Sequence, residues 1–126
     1  MKKVILIIGS IISSLIIAAG IVFIVPFTAL TYELEFKITF VEECKSPDGQ
    51  YELVINQLGE PFFFESANGI FILRKDGRNI AREDFIVQND GGWIDEDSCD
   101  VRWLDDCVVV TVHGCEQKDK DYILEY

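Results

Sequence analysis

Hydrophobic and polar positions divide the chain into two unlike parts. From Val4 to Leu30 the residues read VILIIGSIISSLIIAAGIVFIVPFTAL, without a charge. As a helix rising about 1.5 Å per residue, the apolar and small residues from Val4 to Val25 would reach roughly 33 Å, enough for a hydrocarbon core of about 30 Å. Pro26 lacks the N–H that a helix interior uses and is expected to end the helix near the far interface. After that the period becomes two. In YELEFKITF (32–40), Tyr32, Leu34, Phe36, Ile38 and Phe40 alternate with Glu33, Glu35, Lys37 and Thr39, which predicts a strand with its aromatic and aliphatic face buried.

Strand patterns continue to the end of the chain: YELVINQ (51–57), PFFF (61–64), GIFILRK (69–75), DFIVQ (84–88), VRW (101–103), VVVTVHG (108–114) and YILEY (122–126). Asp76-Gly77 is a two-residue hairpin signal joining GIFILRK to the segment that begins at Arg78. None of these segments has the period of an amphipathic helix. The pattern predicts a transmembrane anchor and short cytoplasmic tail over 1–30. Residues 31–126 follow as one acidic, mainly β domain: a small antiparallel sheet, sandwich or barrel-like fold of seven or eight strands.

Ser46-Pro47-Asp48-Gly49 suits a type I turn, with Ser first, Pro second and Gly fourth, and strand pattern lies on both sides. The stretch SPDGQY also resembles the blade motif of TolB-type propellers. A propeller needs at least about four blades of some 40 residues, and the motif occurs once here, so length excludes that fold. SPDGQYELVI, GIFILRKDGRNI, FIVQNDGG and VRWLDDCVVVTVHGCEQKDKDYIL together resemble a family of uncharacterised small single-pass membrane-anchored proteins of Gram-positive bacteria. The resemblance implies an anchor followed by a β-rich domain with an SPDG-x-Y turn near its start and a tryptophan-bearing hairpin near its end. It implies no activity and no site residues.

The net charge is −11, and with Lys2 and Lys3 set aside the remainder stands at −13. A domain so acidic is repelled by nucleic acid and by anionic head groups, so no nucleic-acid partner is expected, while cations or a basic partner are attracted. The bilayer, reached through residues 4–25, is the first partner, and a membrane or cell-surface protein is the second. The apolar run exceeds the h-region of a secretory signal, and no small pair precedes a fitting cleavage position, so an uncleaved anchor is expected. Lys2, Lys3 and the α-amine crowd one interface, which places the N-terminus inside and the β domain outside the cell membrane. Within the anchor, Ser10, Ser14 and Ala18 recur at i, i+4 and i+8 and form a candidate helix-packing face.

Four cysteines follow the anchor, which in a translocated domain suggests disulfides. If Asp105-Asp106 is a two-residue turn, Trp103 pairs with Val108 and Val101 with Val110. Cys99 then faces inward near Val112 and Cys107 outward beside the turn, too far apart for the Cα separation of at most about 7 Å that a bridge needs. Cys44 with Cys115, or Cys44 with Cys99, stays open, as do free thiols. His113, Cys115 and Cys107 share the other face of their strand, but no zinc spacing accompanies them and an exposed strand face is expected. Asp95, Asp97 and Asp100 are calcium candidates in an acidic loop, yet the stretch misses the EF-hand pattern. A solvated loop is the expectation there, with no metal and no cofactor.

No nucleophile elbow, P-loop or dinucleotide fingerprint is present, so no catalytic residue is assigned. The features suit a membrane-anchored extracytoplasmic binding or accessory module. A regulatory, inhibitor or immunity-type subunit of a membrane complex is the alternative, and a carboxylate-based hydrolase stands behind both.

Overall fold

The computed structural model describes Met1–Tyr126. Helix α1 runs Lys2–Glu35 and is long and apolar enough to cross a membrane, with none of it buried against the rest of the chain. Seven strands follow: β1 Ile38–Lys45, β2 Tyr51–Leu58, β3 Ala67–Lys75, β4 Arg78–Val87, β5 Cys99–Trp103, β6 Cys107–Gly114 and β7 Gln117–Glu125. They form a four-stranded antiparallel sheet, β1-β2-β3-β4, and a three-stranded one, β5-β6-β7. The chain is mainly β with one domain after the helix, and it is neither a closed barrel nor a propeller.

The inner faces of the two sheets meet in one core. Leu53, Ile55, Phe71, Leu73, Phe85 and Val87 come from the first sheet, and Val108, Val110, Val112, Tyr122 and Leu124 from the second. Phe71 and Phe85 stack with ring centroids 3.9 Å apart, and both meet Tyr122 edge-on. Gly69 lies opposite Phe85 in the β3–β4 ladder, and the Phe85 ring occupies the space its missing side chain leaves.

The hairpins follow the local signals. Lys75 pairs with Arg78, and Asp76 and Gly77 both take positive φ, which only a twist-matched two-residue turn requires. Trp103 pairs with Val108, Val101 with Val110 and Cys99 with Val112, the register expected of an Asp105-Asp106 turn.

Five expectations are corrected. Pro26 does not end α1. It removes a single backbone bond, and the Thr28 and Thr31 hydroxyls add bonds to the carbonyls of Val25 and Phe27 on the following turns. Residues 32–35 therefore continue the helix instead of opening a strand, and Phe36 closes it by donating its N–H to Tyr32 O at 2.9 Å. Where β1 does start, its faces are reversed. Ile38 and Phe40 point to solvent, Val41 packs on the core, and a bulge between Phe40 and Glu42 resets the alternation so that Cys44 packs inward. Pro61–Phe64 is a loop, not a strand, because Gly59 and Phe63 take positive φ there. Finally, the segments starting at Arg78 and Asp84 are one strand, β4.

The head has two ends. The base holds the exit of α1, the 59–66 loop, the 88–98 loop and the β6–β7 turn. The tip holds the β1–β2, β3–β4 and β5–β6 turns.

Candidate functional site: an aromatic and acidic groove at the tip

The β1–β2 turn is built as its residues dictate. The Ser46 hydroxyl donates to Asp48 Oδ1 at 2.6 Å and accepts the Tyr51 N–H at 2.9 Å. The Gln50 N–H adds a bond of 3.0 Å to the same Asp48 oxygen. The Ser46 hydroxyl, then this N–H, hold the Asp48 carboxyl below its ordinary pKa, so it stays charged into acid. Across from it the β5–β6 turn closes through Leu104 N–H to Cys107 O at 2.8 Å and leaves Asp105 and Asp106 exposed.

Between the two turns lies a cavity of about 480 Å³. Its wall is aromatic. Tyr51 and Tyr126 stack at 4.1 Å, Trp103 stands 6.4 Å from Tyr126, and the Tyr126 hydroxyl donates to the Leu104 carbonyl. Its rim is acidic, with Asp48, Asp105 and Asp106. A cation is already seated on one side: the Lys75 ammonium lies 4.8 Å from the Tyr51 ring centroid and donates to the Tyr51 hydroxyl at 2.9 Å. Carboxylates around electron-rich rings suit an ammonium or guanidinium group.

The residues singled out from sequence are scattered. Asp95 is occupied locally, accepting the Ser98 hydroxyl at 2.6 Å, and with Asp97 it lines a separate surface groove beside Phe40 and Val41. Asp100 pairs instead with His113 Nε2 at 2.9 Å, and Asp119 takes His113 Nδ1 at 2.8 Å. No three His, Cys, Asp or Glu side chains converge as metal ligands. Ser10, Ser14 and Ala18 lie exposed along α1.

All four cysteines are free thiols. Cys115 sits in the base turn, its N–H bonded to Asn89 Oδ1 at 3.1 Å, whereas Cys44 stands near the tip end of β1, packed on the core that holds Cys99. Burial, then the nearby Glu42, pushes the Cys44 thiol up to about 11, and burial pushes Cys99 up to about 12. Cys107 lies outside the core cluster yet is nearly inaccessible, contrary to an exposed position, because it pairs with Glu125 beside the end of β7.

Sequence reasoning read the two turns of the tip only as turns. It also missed Gln57, wholly buried, whose amide donates to Gly59 O at 3.0 Å and whose carbonyl accepts the Ile94 N–H at 2.8 Å. No protein-family model, curated protein or solved structure matches this chain.

Proposed function

We propose that this chain is a membrane-anchored, extracytoplasmic binding module, held in the cell membrane by α1 with its N-terminus inside, whose tip groove receives a cationic group of a cell-surface partner. The observation that carries the reading is the pairing of the Tyr51, Trp103 and Tyr126 wall with the Asp48, Asp105 and Asp106 rim at the end of the head opposite the helix. The net charge of −11 adds long-range attraction for such a partner. The resemblance to single-pass proteins of Gram-positive bacteria agrees with this placement.

Trp93→Phe leaves Trp103 as the sole tryptophan and a reporter of the groove. Titration with an oligolysine peptide is expected to give a saturable change in its emission. The change weakens with added salt, is lost in Asp105→Asn/Asp106→Asn, and is not produced by oligoglutamate. An emission that ignores oligolysine, or answers both peptides alike, refutes the groove.

A second reading, a regulatory, inhibitor or immunity-type subunit of a membrane complex, is favoured by the uncovered small-residue face Ser10, Ser14 and Ala18. Capture of a membrane protein that needs α1 and survives Asp105→Asn/Asp106→Asn selects that reading over the groove.

A further inference from the structure

The exposed apolar surface of the head is concentrated at its base. Phe62, Phe63 and Phe64 are 50%, 74% and 80% exposed, and Trp93 is 49% exposed. Such a cluster is costly in water and marks a contact surface. It is also held in place. Phe63 takes φ 55°, unfavourable for an aromatic residue, and Gly91 donates its N–H to Glu65 O at 3.0 Å. A Cβ on Gly91 would run into the Phe63 carbonyl, so the 88–93 loop backs the aromatic loop closely.

The position of this loop relative to α1 decides what covers it. Gly59 N–H donates to Lys37 O at 2.7 Å and Glu60 N–H to Leu34 O at 3.1 Å, so the loop departs from the last turn of the helix. Lys37 bridges Glu33 and Glu60 across the same joint, at 2.5 and 3.1 Å. The uncharged stretch from Val4 to Tyr32 measures roughly 43 Å as a helix, against about 40–45 Å for a bilayer with its head groups. Tyr32 then lies at the outer head-group boundary, with Leu34 half a turn beyond it. Phe62 to Phe64 start within four residues of that level. Trp is a residue that settles at a membrane interface, and Phe is among the apolar residues that interfacial segments bury at the head-group boundary.

We infer that Phe62, Phe63 and Phe64, with Trp93, form a foot that rests in the outer interface of the bilayer in which α1 is anchored, so that the head stands on the membrane with its tip outward. The inference rests on the anchored reading of α1. Glu60, Glu65 and Asp90 border the foot and remain in the head-group layer, which favours zwitterionic over anionic lipid.

Full-length protein in phosphatidylcholine vesicles, with and without brominated acyl chains, tests this through single-tryptophan variants. On a Trp93→Phe/Trp103→Phe background, Phe63→Trp and, as a second reporter, Phe64→Trp read the foot, and Ile16→Trp reads the anchor. Trp93→Phe alone leaves Trp103 to read the tip. The expected result is bromine quenching at residues 63, 64 and 16 and none at 103. Quenching at 16 with none at 63 or 64 overturns the foot while the anchor stands. No quenching at 16 overturns the anchored reading and the foot with it. Equal quenching at 63 and 103 overturns the upright head.

Discussion

His113 stands between two carboxylates, one on each neighbouring strand; only its protonated ring donates to both, so this pairing governs how its charge depends on pH. Hydrogen bonds donated by the protonated ring to Asp119 and then to Asp100 raise its pKa above the ordinary 6.5. A raised folded pKa means the protonated ring favours the folded state. That stabilisation is full below the unfolded value, about 6.5, and disappears as pH climbs through the folded value. In an NMR titration of the imidazole Cε1–H, the midpoint is expected above that of a short peptide. Asp119→Asn should move it back down, and a midpoint unchanged by Asp119→Asn would mean the pair does not persist in solution. Gln57 is the opposite case, a neutral latch. Gln57→Leu leaves the Ile94 N–H and the Gly59 carbonyl unpaired in the interior, at a cost of about 1–3 kcal/mol. Chemical denaturation reads this directly, and a neutral result would mean water replaces the amide.

At the scale of elements, turn chemistry was legible, and so was the inward face of β5 and β6, whereas the facing of β1 was not. Ser46-Pro47-Asp48-Gly49, Asp76-Gly77 and Asp105-Asp106 act through residues adjacent in sequence, so turn and register follow from them. Alternation in Tyr32–Phe40 says that two faces differ but cannot say which one the core takes. A helix already propagating through Pro26 absorbs Tyr32–Glu35, and the bulge near Val41 then turns Ile38 and Phe40 outward. The tip groove had no spacing signal because Tyr51, Trp103 and Tyr126 come together only when the two sheets pack. Gly69 shows how tightly that packing is drawn. A Cβ there would stand 2.2 Å from the Phe85 ring, so Gly69→Ala must displace the Phe71–Phe85 stack. Overpacking of this kind costs about 1–3 kcal/mol. A thermal unfolding midpoint unchanged by Gly69→Ala would show that the ring shifts freely.

For the whole molecule, polarity along the long axis ties the proposals together. An apolar helix and aromatic loop stand at one end, and an acidic groove at the other. The arrangement is useful only if the head lies on the side where a partner waits, and the thiols report that side. Cys115 is exposed at the base turn, whereas Cys99 and Cys107 are nearly inaccessible and Cys44 is half-buried. Burial pushes Cys99 up to about 12, so very little of it is thiolate at neutral pH, and the thiolate is the form that reacts. A membrane-impermeant maleimide applied to intact cells is therefore expected to modify the full-length chain mainly at Cys115, and Cys115→Ser should remove most of the label. Denaturation after lysis should then release the remaining three sites. Labelling of Cys115 only once the membrane is broken would place the head in the cytoplasm, where the tip could meet no cell-surface partner. Labelling before lysis that persists in Cys115→Ser would instead mean that the sheets open far enough to expose the core thiols.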